Sequence, residues 1–301
     1  MSRDAADALV TWTQLEPGQL LEERKTIDLG LVELECREHA VACKGEGAVR
    51  DGYTFIGLTA GTETGTRWSG LAFSERDVGT TRSHVDLCST GPVKFYSVSF
   101  RDGDVCEEYR RSHFVPDFLG RIPADPVLLR NSYVRQLRTY VNGILTCPPW
   151  LEKIPKETLE SNVLWFLAAA VTEADETLEP SRPHTRRILA VRQCQEYIEA
   201  HMGDPVTLLD LSEISGLRPR SLISAFEAVT GTSPMAYLRA RRLGEVRKTL
   251  ESAKFPRMRI IDVAADWGFW HMGHFTAAYR AMFGETPSQT LVRTTQSSDD
   301  N

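Results

Sequence analysis

From Gly18 to Phe100 the apolar residues come in short runs divided by glycine-containing turns. LGLVELECRE (Leu29–Glu38) alternates in part. YTFIGLTAG (Tyr53–Gly61) and PVKFYSVSF (Pro92–Phe100) are rich in β-branched and aromatic residues, which suit a pleated, half-buried surface. Lys44–Gly47, Asp51–Gly52, Thr64–Thr66 and Ser89–Pro92 read as the turns. Short strands at this spacing predict a β-sandwich or barrel. After Arg101–Asp104 the period lengthens and predicts helices over Val105–His113, Pro126–Leu145 and Lys156–Glu173. In the second of these, Leu128, Val134, Leu137, Val141 and Leu145 form one apolar stripe, a candidate dimerisation face. Ala174–Thr185 is acidic, carries two Pro and reads as a linker. From Arg186 onward the pattern is helical throughout.

The last third repeats itself. LLDLSEISGLRPRSLISAFEAVTGTSP (Leu208–Pro234) and IIDVAADWGFWHMGHFTAAYRAMFGETP (Ile260–Pro287) share one plan. Asp210 matches Asp262 and Gly216 matches Gly268; Gly231 matches Gly284 and Pro234 matches Pro287. Each block has a short helix, with Leu208, Leu211 and Ile214 or Ile261, Val263 and Ala264 as its apolar positions. Thr207 is placed to cap the first. A Gly suited to a left-handed helix stop follows, then an apolar residue, Leu217 or Phe269. A second helix completes the unit, over Pro219–Thr230 or about His271–Phe283. Its buried faces are expected to be Leu222, Phe226 and Val229, and Phe275, Tyr279 and Phe283. Two short helices around a tight Gly turn are the plan of a DNA-reading helix-turn-helix. One copy is a weak signal; two joined by the basic segment Pro234–Ser252 are a strong one.

Charge agrees. The chain has net charge −6, but Arg186–Arg293 holds fifteen Lys and Arg against eleven Asp and Glu, a net +4 that leaves −10 on the rest. A basic C-terminal third on an acidic body suits a nucleic-acid module joined to another domain. No apolar run reaches the ~18–20 residues of a membrane span; Asn162–Val171 reads as a buried helix. The N-terminal residues lack the basic-then-apolar order of a secretory signal. The six Cys (Cys36, Cys43, Cys88, Cys106, Cys147, Cys194) have no metal-type spacing and are expected to be reduced thiols of a cytoplasmic protein.

The segments Phe226–Pro234, YLRARRL (Tyr237–Leu243), DVAADWGF (Asp262–Phe269) and FGETPSQT (Phe283–Thr290) resemble the AraC/XylS family of bacterial transcription regulators over about Arg186–Arg293. WGFWHMGHF (Trp267–Phe275) is similar to the XylS-like and ethanolamine-regulator-like branches. The N-terminal part matches in layout only. The resemblance implies an α+β protein with an N-terminal β-barrel of cupin-like type, helices, and an all-α domain with two helix-turn-helix motifs. The expected boundaries are 1–173 for a sensor with dimerisation helices, 174–185 for the linker, 186–293 for the reader and 294–301 for a disordered tail. It also implies a homodimeric activator with double-stranded promoter DNA, RNA polymerase and a small-molecule effector as partners.

The outward positions of the second helices become the DNA candidates. Arg220, Ser221, Ile223, Ser224, Met272, Gly273, His274 and Ala277 are base-contact candidates. Arg220 suits guanine and Ile223 a thymine methyl. Gly273 allows the helix start to approach DNA closely. Many relatives have Arg where His274 stands, which implies a pH-sensitive contact here. Arg239, Arg241, Arg242, Arg247, His271 and Arg280 are read as phosphate contacts, with surface ion pairs as the alternative for the arginines. Trp267, Phe269 and Phe275 read as core, whereas Trp270 and His271 face either the phosphate backbone or a neighbouring helix. The linking helix is expected to hold the two readers about one DNA turn, ~34 Å, apart.

For the front domain, Arg67, Trp68, Phe73, Arg82, Phe95 and Tyr96 are the ligand-pocket candidates, with ordinary core or surface roles equally open to them. Two alternatives remain. In one the front domain only dimerises, and regulation is constitutive or partner-controlled. In the other a cupin-like metalloenzyme would use His39, His84 and His113, which lack a clustered ligand motif. No cofactor or metal is expected, and no phosphate-binding Gly loop or nucleophile elbow is present.

Overall fold

The computed structural model describes residues 10–18, 22–60, 65–112, 118–146, 153–173, 176–178, 182–252 and 259–299. His113, Cys147, Thr64, the linker positions 174–175 and 179–181 and the last two residues of the expected tail lie outside them. The chain divides into two units. One comprises 1–12, 21–39 and 44–181; the other comprises 182–301 with two short N-terminal pieces, 13–20 and 40–43.

The strands are β1 (Thr11–Gln14), β2 (Glu22–Asp28), β3 (Val32–His39), β4 (Cys43–Ala48), β5 (Tyr53–Thr59), β6 (Arg67–Trp68), β7 (Leu71–Ala72), β8 (Asp77–Thr81), β9 (His84–Cys88), β10 (Val93–Arg101), β11 (Val127–Arg130) and β12 (Glu176–Leu178). They form a five-stranded sheet ordered β1-β4-β9-β6-β7 and a seven-stranded sheet ordered β12-β11-β8-β5-β10-β3-β2. The helices of this part are α1 (Asp102–Ser112), α2 (Tyr133–Thr146) and α3 (Lys156–Thr172).

Alternation along β10 creates two cores, because successive side chains leave a strand on opposite faces. Phe95 joins Phe55, Trp68, Phe73, Leu87 and Leu128. Tyr96, Val98 and Phe100 join the buried faces of α2 and α3. Gly57 and Gly79 are paired across β5 and β8. A Cβ on either would come within 2.7 Å of the Trp68 ring. The two glycines therefore form a trough that the fully buried indole fills.

Four expectations change here. Val127–Arg130 is a strand rather than the start of a helix; it pairs with β8, and Leu128 enters the aromatic core. Asn131 then starts α2, its Oδ1 accepting from the Tyr133 and Val134 amides at 2.8 and 3.2 Å. Lys44–Gly47 is not a turn but part of β4, where Gly45 leaves room for the Trp12 ring. The linker contributes β12, paired with β11. Finally, Val134, Leu137, Val141 and Leu145 are buried in this unit's own core, so the stripe is not a free dimerisation face.

The second unit holds α4 (Arg182–Ala200), α5 (Leu208–Ser215), α6 (Pro219–Thr230), α7 (Pro234–Glu251), α8 (Ile260–Asp266), α9 (Met272–Phe283) and α10 (Pro287–Asp299). The expected disordered tail is thus helical as far as Asp299. Arg293 anchors this end by bonding Glu251 and Glu285 at 3.2 and 3.1 Å. No described helix is long and apolar enough to cross a membrane.

Candidate nucleic-acid interface

Each repeat block folds as the sequence expects, with its own means of stopping the first helix. Thr207 and Asp210 form a capping box at the start of α5. Gly216 ends α5 at φ +64°. The Ser212 hydroxyl then donates to the Leu217 carbonyl. In the second block Gly268 stands at φ +77°. The Gly268 and Phe269 amides donate to the Ala265 and Ala264 carbonyls at 2.9 and 2.8 Å, the Schellman pattern. A Cβ on Gly268 would also lie 2.9 Å from the Arg242 guanidinium carbon, so two independent reasons demand glycine there.

Leu222, Phe226 and Val229 of α6 enter one core with α4, α5 and the Tyr237–Leu238 end of α7. Phe275, Tyr279, Met282 and Phe283 of α9 enter another with α8 and with Ala240, Leu243, Val246 and Leu250 of α7. Trp267 and Phe269 line this second core, as expected, and Phe269 lies 5.1 Å from the Phe275 ring. The two halves of α7 thus belong to two different cores. At ~1.5 Å per residue this helix is about 27 Å long. Because both cores grip it, it acts as a strut that fixes the spacing and rotation of α6 and α9.

The opposite faces of α6 and α9 are open. Arg220, Ser221, Ser224 and Glu227 are exposed and Ile223 is half-buried. On α9, Gly273, His274, Ala277 and Arg280 are exposed. Met272 is half-buried against the second core, so it sits at the margin of the reading face. Trp270, just ahead of α9, is 72% exposed and so takes no part in the core. His271 caps α9 without a side-chain hydrogen bond, and its ring stands 6.3 Å from that of His274. Whereas Thr207 and Ser233 cap α5 and α7, neither α6 nor α9 has a side-chain cap. The first-turn amides of these two helices therefore have no capping side chain to accept from them, which is what an anion at a helix start requires.

The six phosphate candidates separate by environment. Arg239 and Arg280 are exposed, as is His271. Among the described residues neither arginine side chain has a hydrogen bond or ion pair. Arg241 is buried and its Nη2 lies 2.6 Å from the Glu199 carboxylate. Arg242 is half-buried and donates to the Asp204 carbonyl; burial lowers its pKa from the usual arginine value. Arg247 bonds Glu251 at 3.0 Å and covers the Phe283 ring at 4.8 Å. For Arg241 and Arg247 the ion-pair alternative describes the geometry, whereas Arg242 is held by a backbone carbonyl. Sequence reasoning passed over Arg218, an exposed residue at the start of α6; a basic residue immediately before the helix-starting Pro219 was the available signal.

Residues 211–293 match the family model of a helix-turn-helix domain. Over 96 residues the chain is 43% identical to the XylDLEGF operon transcriptional activator 2 of Pseudomonas putida, covering 32% of this chain and 61% of that protein. The helix-turn-helix part of the chain is thus similar to transcription activators of the AraC/XylS type. A second relative, the XylDLEGF operon transcriptional activator of the same organism, is 33% identical over 133 residues, which is 44% of this chain and 39% of the relative. The chain therefore spans less than two thirds of these curated relatives. A solved structure of a probable AraC family transcriptional regulator from Rhodopseudomonas palustris CGA009 is 40% identical over 35% of this chain and 97% of that one, with TM-score 0.34.

The relatives matched are named as transcriptional activators. The His39 ring in β3 lies tilted against Trp12, with 4.4 Å between ring centres, while His84 of β9 meets Ser83 at 3.0 Å. The described cysteines are free thiols, and burial pushes Cys88 up to about 12 and Cys194 to about 11.

The ligand-pocket candidates do not converge. Trp68, Phe73 and Phe95 meet in the aromatic core, but Tyr96 faces the opposite side of the sheet and donates to Asn142 Oδ1 at 2.7 Å. Arg82 is a clamp: it pairs with Asp102 at 2.9 Å and donates to the Leu119 and Ile122 carbonyls at 2.6 and 3.0 Å. Among the described residues Arg67 reaches only the Gly65 carbonyl, at 3.4 Å.

Proposed function

We propose that the chain is an effector-responsive transcription activator that reads two adjacent major-groove segments of promoter DNA with α6 and α9. The observation that carries this reading is the pair of uncapped, outward-facing helices on one rigid strut. Arg220, Ser221, Ile223, Ser224, Gly273, His274 and Ala277 are assigned to base edges, with Met272 at the margin. Arg239, Arg280 and His271 are assigned to phosphates, joined by Arg218. The relatives named as operon activators support activation, and with it contact with RNA polymerase, a homodimer and a cytoplasmic site of action. Domain limits of 1–173 and 186–293 go with this reading.

A footprint of the purified protein on DNA upstream of its own and neighbouring genes tests it, at two salt concentrations because nonspecific phosphate binding falls steeply with salt. Salt-resistant protection in pairs about one turn, ~34 Å, apart is expected. Salt-sensitive protection without such pairs, with or without small-molecule pools, overturns it. The close packing around Trp68 favours a second reading, in which the front domain is a scaffold and regulation is partner-controlled. Thermal stabilisation by a small molecule separates the two.

A further inference from the structure

A cavity of about 460 Å³ lies where β8, β11 and α2 meet, lined by Arg76, Arg130, Asn131, Ser132, Arg135 and Gln136. Its size is that of a metabolite site, and among the described residues every lining side chain is polar. Three of the six are guanidinium groups, in a part of the chain where acids outnumber bases.

The arginines differ in how they are held. Asp77 is buried, and its Oδ1 holds Arg130 Nε at 2.7 Å. Its other oxygen accepts from the Ser74 amide and hydroxyl at 2.8 and 2.5 Å. Arg130 is thereby fixed from behind. Arg76 and Arg135 are exposed, and among the described residues their side chains make no hydrogen bond or ion pair. Glu75, beside Arg76, is paired with Arg138 instead, at 3.7 Å. The first amides of α2 are already taken by Asn131, so the attraction for an anion comes from the guanidiniums and not from the helix end. Among the described residues Arg76 and Arg135 have no counter-charge of their own, and they line the cavity with the anchored Arg130, whose neighbour in β12 is Glu176. Guanidinium forks recognise carboxylate and phosphate oxygens bidentately.

We propose that this cavity binds a small dianion, a phosphate monoester or a dicarboxylate, gripped by Arg76 and Arg135 with Arg130 as the fixed base. Arg76 lies in the turn that leads into β8, Arg130 in β11 and Arg135 in α2, so the ligand ties sheet to helix and stabilises this unit. As a binding site the assignment stands alone; as the effector site it deepens the function proposed above and rests on it.

Calorimetric titration of the full chain with inorganic phosphate, succinate and acetate tests the site. The comparison includes the R76Q/R135Q double variant and R50Q, a control away from the cavity. Both cavity arginines are exposed, so the variants keep the fold, which far-UV circular dichroism and melting temperature check. One saturable site for phosphate or succinate is expected, with acetate at least about tenfold weaker. The double variant should lose at least about tenfold in affinity and R50Q nothing. The tighter of the two dianions identifies the ligand's source. No saturable dianion binding, or equal binding by R76Q/R135Q, overturns the site. A footprint with the bound dianion then separates the two claims: altered DNA occupancy supports the effector role, and unchanged occupancy keeps the site but overturns that role.

Discussion

Arg239 and Arg241 are two positions apart on α7, yet their surroundings differ in kind. Arg239 is exposed, whereas Arg241 is buried beside Glu199. Arg239→Ala is expected to weaken DNA binding equally on all sequences and reduce the salt slope by about 1, with the melting temperature unchanged. Arg241→Ala should instead lower stability by about 2 kcal/mol, the scale of a hydrogen bond to a charged group. Arg220→Ala is expected to relax base choice at a single position for ~1–3 kcal/mol. Binding titrations on an operator and its point variants distinguish these; a uniform loss for Arg220→Ala would assign it to phosphate. Tyr279 gives a pH test. It is fully buried, its hydroxyl 2.9 Å from Thr290 Oγ1, and burial pushes it up to about 12. An unfolded tyrosine ionises near ~10. The folded state holds the proton more tightly, so this contribution is whole below about pH 10 and fades as pH rises towards 12. Cys194, raised to about 11, acts with the same sign. Denaturant midpoints at mildly and strongly alkaline pH should fall less for Tyr279→Phe than for the natural chain; an unchanged fall would refute the assignment.

The helix ends and turns make a second set of tests. Gly216 and Gly268 both have positive φ, but an added Cβ at Gly216 meets nothing within 4 Å, whereas at Gly268 it meets Arg242 at 2.9 Å. Gly216→Ala is expected to cost ~1–2 kcal/mol, the left-handed penalty of an L residue. Gly268→Ala should cost more, because Arg242 must also move. Equal melting shifts for the two would remove the close-contact argument. Gly273 behaves oppositely. It sits in the first turn of α9, exposed, with no atom within 4 Å of an added Cβ. Gly273→Ala is therefore expected to stabilise the fold by ~0.5–1 kcal/mol while weakening DNA binding. Unchanged DNA affinity would show that the helix start does not approach DNA closely.

The two helix-turn-helix cores are joined by the one helix that both enclose, so each motif folds around local contacts and α7 sets their relation. The front unit is organised differently, with two sheets and three α-helices among its described residues arranged around two cores. Leu137 belongs to the second of these cores. Leu137→Ala is expected to lower the stability of this unit by ~2–5 kcal/mol through the cavity it leaves. Its melting temperature should drop by the same amount at every protein concentration. A drop that grows on dilution would instead return the stripe to a dimer interface.

The reader was legible because helix-turn-helix information is local. Thr207, Gly216, Pro219 and Gly268 act on the residues beside them, and apolar positions three and four apart face one core whatever else the chain does. The repeat and the excess of basic residues then pointed to DNA. Where long-range pairing decides, the sequence was a poorer guide. Val127–Arg130 has a helix-compatible pattern but becomes a strand because β8 offers its edge, and Gly45 sits in a strand because Trp12 needs the space. Leu128 and Leu137 look alike in one stripe yet enter different cores. Arg239 and Arg241 look alike in one basic helix, and only the surrounding fold, by burying one beside a carboxylate and leaving the other in water, gives them different roles.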